Sequence, residues 1–327
     1  MRELFYYEAK LEALREIIAG DPRVHFFAEH TGFMGLSPHR TKFGDIARAF
    51  PDRVKSPPIS ELGFCGLAIG AAMAGLRPVV DLITASFALE AWPQIVNEAA
   101  NAYYMSAGQT KVPVVFHVLH GLRGGGAAQH SHSPQAMLWN CPGLQIVLPS
   151  SPRDVKGLLK TAVASDNPTV FIDHSLLFNV KGEVPEDDRP IPFGKAEVKR
   201  KGSDVTVVAT SLMVQRSLAA AERLAREGID VEVVDPRTLV PFDFDAIMAS
   251  VEKTRRVVVV DECHQSCGVA AEIVARIAEA GFDKLKAPIR RVVRLDVPVP
   301  YSIPLEEAIS PTEERCVEAI RATARYK

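Results

Sequence analysis

PPISELGFCGLAIGAAMAGLRPVVD, residues 57–81, decides the fold class. Ser60 can cap a helix that begins at Glu61, and the spacing predicts that helix over about residues 61–75. Gly63, Gly66 and Gly70 on it would let a second backbone approach closely. The helix runs almost directly into PVVDLI (78–83), a β-branched run with the character of a buried strand. The same alternation extends in both directions. RVHFFAE (23–29), VPVVFHVL (112–119), LQIVLP (144–149) and TVFID (169–173) read as strands, with helical stretches near 88–106 and 152–165. Upstream, residues 3–19 place Tyr7, Leu11, Leu14 and Ile18 at helical spacing, and Gly20 with Asp21-Pro22 ends that helix. Strands alternating with helices build a parallel sheet covered on both faces, so the chain is α/β.

A chain of 327 residues exceeds one ordinary core, so two domains are expected. NVKGEVPEDDRPIPF (179–193) is proline-rich and acidic without apolar periodicity and reads as a linker, which puts the domains at 1–188 and 189–327. Beyond it DVTVVAT, a helix carrying Val214, Leu218, Ala221 and Ala225, IDVEVVD, RRVVVVDE and IRRVVRLD repeat the alternation in a second α/β domain.

Composition narrows the function classes. A net charge of -2, a pI near 6.5 and the lack of basic runs give nothing that attracts nucleic acid. The N-terminal segment mixes charge with apolar residues, unlike a secretory signal or a membrane span, so a cytoplasmic location is expected. Cys65, Cys141, Cys263, Cys267 and Cys316 are too sparse for a disulfide framework, and the Cys263/Cys267 pair around His264 lacks a full zinc ligand set.

Three segments could carry chemistry. Glu61 faces an otherwise apolar helix; a carboxyl so placed has a raised pKa and can donate a hydrogen bond near neutrality, or it merely complements the helix dipole. HGLRGGGAAQHSHS (120–133) packs four glycines, Arg123 and three histidines into one loop after a strong strand. It lacks the GK[ST] of a phosphate loop and the spacing of a dinucleotide fingerprint, so phosphate cradling has weak support. His130 and His132 suit proton transfer better than metal binding, or belong to a surface loop without a role. In SFALEAWPQIVNEAANAYYMSAGQ (86–109) the periodicity is that of core or interface, and Phe87 alone is placed to stack on a flat ligand.

Taken together, PISELGFCGLAIGAAMAGLRPVVD, YYMSAGQ, AAQHSH, PGLQIVLPSSPRDVKGLL and RTLVPFD resemble, in order and across nearly the whole chain, the β subunits of the E1 component of thiamin-diphosphate-dependent 2-oxo-acid dehydrogenase complexes. GLRGGGAAQHSH and HSLLFNVKGEVPED look particularly like the acetoin dehydrogenase β subunit. The resemblance implies a transketolase-like pyrimidine-binding domain followed by a transketolase C-terminal-like domain. It implies an α2β2 heterotetramer in which the α subunit holds the diphosphate and Mg2+ of thiamin diphosphate. It also implies an E2 lipoyl acyltransferase as acyl acceptor and a small 2-oxo acid, or acetoin, as substrate. No GDG motif followed by paired asparagines occurs in this chain, as a half-site would require.

Carried over by motif, Glu61 would hydrogen-bond the N1′ atom of the aminopyrimidine and promote its imino tautomer. Phe87 would pack on that ring, and His130 would serve proton transfer or lipoyl transacylation. Glu29 aligns with a glutamate of the family's cofactor-binding segment. Some members also hold potassium with main-chain oxygens, which would place it by Val114, Ala162, Val163, Ser165 and Asn167. The chain departs from the family pattern at Trp92-Pro93, where an aspartate is usual, at His117, where arginine is common, and at His132, where glutamine is usual; Pro93 suggests a helix starting there, and the two histidines suggest altered substrate-side contacts. Two other readings share these residues: a carboligase or transketolase-type split enzyme not coupled to lipoate, and a non-catalytic scaffold for an α chain.

Overall fold

The computed structural model describes residues 1–28, 38–186 and 189–326, without the side chains of 38–42. The chain divides into two units, one of residues 1–120 with 137–193, the other of 121–136 with 194–327. The expected division after 188 treated the first domain as continuous; the loop 121–136 is instead grouped with the C-terminal unit, for reasons its hydrogen bonds supply below.

In the first unit β1 (Arg2–Phe5), α1 (Tyr6–Gly20), β2 (Val24–Ala28), α2 (Pro38–Ala49), β3 (Val54–Lys55), α3 (Glu61–Met73) and β4 (Arg77–Thr84) follow one another. After them come α4 (Ala100–Met105), β5 (Val115–His120), α5 (Gln135–Trp139), β6 (Gln145–Val147), α6 (Pro152–Ala164), β7 (Thr169–His174) and β8 (Lys181–Val184). The strands β6-β7-β5-β4-β2-β3 lie in that order and pair in parallel throughout. All six residues of β7 are buried, as expected of a strand covered on both faces.

Three readings change in detail. Helix α1 buries Tyr6, Ala9, Ala13, Leu14 and Ile18, so the face is set by Tyr6 rather than Tyr7. The supposed linker contains β8, which pairs antiparallel with β1, Arg2 opposite Val184 and Phe5 opposite Lys181. A four-residue pair closed by backbone bonds and by Lys181 over the Phe5 ring needs no apolar run, and so leaves little trace in the sequence. The stretch 88–106 is not one helix: a 3₁₀ turn spans Ala85–Leu89, a π-helical segment Pro93–Ala99, and α4 follows. Pro93 stands at the first position of its segment, the one place where a missing N–H costs nothing, so the helix does start there.

The second unit comprises β9 (Glu197–Arg200), β10 (Val205–Ala209), α7 (Leu212–Ala225), β11 (Val231–Asp235), β12 (Thr238–Val240), α8 (Phe244–Thr254), β13 (Val257–His264), α9 (Val269–Gly281), β14 (Arg290–Arg294), α10 (Ile303–Ile309) and α11 (Glu313–Ala324). Its sheet runs β14-β13-β10-β11-β9, parallel except for β9. Helix α7 packs with α11 and α8 with α9. The buried face of α7 is Val214, Ser217, Ala221 and Leu224; Leu218 and Ala225 lie off it. No helix among the described residues is long and apolar enough to cross a membrane.

Candidate active site

Parallel strands present their carboxyl ends together, and ligands of open α/β sheets bind outside those ends. The chain leaves β2 toward Glu29, β3 toward Ser60 and Glu61, β4 toward Phe87, and β5 into the histidine loop. Within the first unit, Glu61 and Phe87 thus follow the carboxyl ends of strands in one parallel run. Glu29 itself lies outside the described residues.

Glu61 is the first residue of α3. Ser60 precedes it with extended φ, and its carbonyl, not its hydroxyl, accepts the first helical hydrogen bond, from the Phe64 amide at 3.0 Å. The Glu61 carboxyl is half-buried and makes no hydrogen bond or ion pair to a described residue. The expected shelter is only partly built by this chain: Ile59 and Leu67 remain 65% and 57% exposed on the same segment, and Leu62 and Met73 are exposed as well. An uncovered apolar face of this size marks a surface that another molecule covers.

Phe87 is half-buried in the 3₁₀ turn, between buried Ser86 and Ala88. A bulge aims that turn. Asp81 pairs with His117 and Thr84 with Leu119, so three steps along β4 match two along β5. Ile83 adopts φ 62° there, a conformation costly for a β-branched side chain, and its amide donates to Asp81 Oδ1 at 2.9 Å. The sequence signal was Asp81 itself, a residue type depleted in strand interiors.

His117 does not reach toward a substrate as its place in the resemblance suggested. Its ring is buried, with Nδ1 2.9 Å from Asp81 Oδ1 and Nε2 2.9 Å from Asp173 Oδ2. Asp173 also pairs with Lys10 at 2.7 Å and accepts from the Tyr6 hydroxyl at 2.5 Å. Burial alone would raise both carboxyls, but Lys10 and His117 hold Asp173 well below the usual range, and His117 with Lys10 lowers Asp81.

The histidine loop is clamped by its own unit. The Leu122 amide donates to Glu262 at 2.5 Å; the amides of Gly124 and Gly125 donate to the two oxygens of Glu306 at 2.7 and 3.0 Å. Arg294 donates to the Ser131 carbonyl at 2.8 Å and to Ser133 Oγ at 3.2 Å. Gly124 and Gly125 have φ 78° and 84°, which side chains rarely adopt. Two glycine amides therefore already hold an anion, a glutamate of the same chain, which is a physical reason against phosphate cradling. His130 ends a short 3₁₀ turn (Ala128–His130) and is exposed. His132 is half-buried, and burial followed by Arg294 and His264 lowers its pKa, so the two histidines sit in unlike surroundings. Among the described residues no group of three His, Cys, Asp or Glu side chains could hold a metal. Glu262, Arg294 and Glu306 were missed by sequence reasoning; for Glu262 the available sign was the acidic pair directly ending the apolar run VVVV.

The main-chain oxygens considered for potassium each accept a hydrogen bond within the chain. Val114 accepts from the Thr169 amide at 2.9 Å, Ala162 from Ser165 at 3.3 Å and Asn167 from the Thr169 hydroxyl at 3.3 Å. Val163 and Ser165 each accept from Arg77 Nη1 at 2.9 Å, so a guanidinium already supplies positive charge at this turn.

Comparison with known proteins matches residues 3–179 to the transketolase pyrimidine binding domain and 194–316 to the transketolase C-terminal domain. The pyruvate dehydrogenase E1 component subunit beta of Rickettsia felis is 42% identical over 98% of both chains. The acetoin:2,6-dichlorophenolindophenol oxidoreductase subunit beta of Bacillus subtilis is 43% identical over 81% of this chain and 78% of that one. A solved split-gene transketolase, described as an inactive beta4 tetramer, superimposes with a TM-score of 0.79 at 27% identity and 98% coverage of both chains. The two sheets, the order of their strands and these matches have one reading: the chain belongs to the β-subunit family of E1-type dehydrogenase components, built from a transketolase pyrimidine-binding and a transketolase C-terminal domain.

Proposed function

We propose that the chain supplies the pyrimidine side of a thiamin-diphosphate site completed by a separate α chain, and that the assembly decarboxylates a 2-oxo acid or splits acetoin and passes the acyl group to a lipoyl domain. One observation carries this reading: Glu61, whose carboxyl has no partner among the described residues, and the half-buried Phe87 follow strands of one sheet edge, beside an apolar face left uncovered. A flat heteroaromatic ring with an acceptor nitrogen fits that pair, the carboxyl donating to the nitrogen and the phenyl packing on the ring.

When bound, thiamin diphosphate would supply a nucleophilic carbon and an electron sink for cleavage of a bond beside a carbonyl. Glu61, covered by the α chain, would hydrogen-bond the ring nitrogen and hold the ring in register. Phe87 excludes water from one ring face. His130, exposed on its clamped loop, moves a proton at the substrate oxygen or at the incoming dithiolane sulfur. Mg2+ belongs to the α chain in this arrangement, and a potassium ion at the Val163–Ser165 turn would share its oxygens with Arg77.

Titration calorimetry of thiamin diphosphate into the α-β pair tests the reading. Saturable heat with the pair and little with the single chain is expected, and absence of binding by both overturns it. A second reading, transfer to an aldehyde acceptor without lipoate, draws on the same residues. Product formed with a free aldehyde but not with a lipoyl domain selects it.

A further inference from the structure

The cluster around His117 has no place in the chemistry above, yet it touches the segment that carries Phe87. Asp81 Oδ1 accepts both from His117 Nδ1 and from the Ile83 amide, each at 2.9 Å. The strained bulge at Ile83 leads through Thr84 directly into the Phe87 turn. On the other side of the ring, Asp173 is bound by His117, Lys10 and Tyr6. One imidazole thus joins β4 to β7 across β5, with α1 closing the cluster.

We infer that His117 is a positioning residue: by bridging Asp81 and Asp173 it fixes the bulge at Ile83, and through it the seat that Phe87 offers the pyrimidine ring. The inference rests on the function proposed above for Phe87 and adds to it a charged support in the layer behind.

The charges facing His117 are Asp81 from β4, Asp173 from β7 and Lys10 from α1, with the Tyr6 hydroxyl and the Phe171 ring completing the shell. Two carboxylates balance two cations only when the ring is an imidazolium. Donating to both carboxylates requires both ring N–H groups, and a neutral imidazole has one. Once neutral, Nε2 becomes an acceptor, and Lys10 Nζ lies 2.6 Å away to donate to it. The ring therefore has two arrangements: imidazolium bridging both carboxylates, or neutral imidazole holding Asp81 alone and taking its other bond from Lys10. Burial and Lys10 push the ring's pKa down, but Asp81 and Asp173 outweigh them and it is raised. The bridge is therefore complete below the unfolded value of about 6.5 and is lost as pH rises through the higher folded value.

The test uses the α-β assembly and the variants His117→Gln and His117→Arg. Thiamin diphosphate affinity, measured by calorimetry from about pH 6 to pH 9, is expected to fall about tenfold in His117→Gln, the worth of one charge-assisted hydrogen bond. His117→Arg, with a charge that does not titrate, should bind within about twofold of the parent and lose the alkaline decline. Equal affinity and an unchanged pH profile in His117→Gln overturn the inference. Should His117→Gln fail to fold, NMR of the full chain labelled at histidine Cε1 decides. The signal absent in His117→Arg must titrate in the parent above the free-histidine value, and a ring neutral across the range overturns the inference. That titration needs no cofactor, so its failure is separable from a failure of the parent assembly to bind thiamin diphosphate.

Discussion

Arg294 and Glu262, both buried to 2% exposure or less, meet at 3.1 Å, and the two ends of the histidine loop hang from that pair. Glu262 takes the Leu122 amide where the loop begins, and Arg294 takes the Ser131 carbonyl beyond His130. Removing one partner of a buried ion pair leaves an uncompensated charge and costs about 3–5 kcal/mol. Arg294→Met should lower the chain's unfolding free energy by that order in urea denaturation. It should also slow acyl transfer to a lipoyl domain while thiamin diphosphate affinity holds. A variant as stable as the parent, with transfer intact, would show that the loop does not depend on this pair.

The carboxylate of Glu306 is bound by successive glycine amides in the same loop. Glu306→Gln keeps the shape but replaces one acceptor oxygen by a donor and removes the charge, a loss of about 1.5–3 kcal/mol for hydrogen bonds to a charged group. Part of that loss should appear as local opening. Limited trypsin digestion is expected to cut after Arg123 several times faster in the variant, with cleavage elsewhere unchanged; equal rates at Arg123 would exclude Glu306 as the clamp.

These contacts mark the boundary of what could be read in the sequence. The α/β class, the helix at Glu61 and the strands at 78–83 and 169–173 follow from local periodicity, because each buries an apolar face that recurs at a fixed spacing. Glu61 was found as a carboxyl opening an apolar helix, Phe87 as an aromatic at a turn, and the histidine loop as a glycine-rich run after a strand, all signals local in the sequence. Arg294, Glu262 and Glu306 were not, since they meet residues more than 130 positions away and their recognition depends on three-dimensional proximity alone. His117 was seen as a substitution but assigned outward, because a lone histidine in an apolar strand does not reveal which carboxylates await it. The β1–β8 pair escaped because backbone bonds between short polar strands carry no hydrophobic signature.

Glu61 carries the proposed chemistry through a proton, so the isosteric amide is the decisive replacement. Glu61→Gln preserves volume at a half-buried helix start and should leave folding and assembly with the α chain unchanged by gel filtration and thermal melting. Turnover should fall by at least about a hundredfold, the lower range for losing a proton-transfer group. Undiminished turnover in an intact assembly would remove Glu61 from the mechanism.

The thiols offer an independent check on the packing of both units. Cys65, Cys263 and Cys316 are buried, Cys141 is half-buried with Sγ donating to the Met137 carbonyl at 3.3 Å, and Cys267 is exposed. Burial pushes the Cys316 thiol up to about 12 and raises Cys263 well above its ordinary value, so neither forms thiolate near neutrality. Burial raises Cys141 as well, though access there is partial. Alkylation of the native chain at neutral pH, followed by peptide mass mapping, should modify Cys267 first and Cys141 slowly. Cys65, Cys263 and Cys316 should react only on unfolding. Rapid native labelling of Cys263 would be the most damaging result, because its buried Sγ donates to the Ser133 carbonyl of the clamped loop at 3.5 Å.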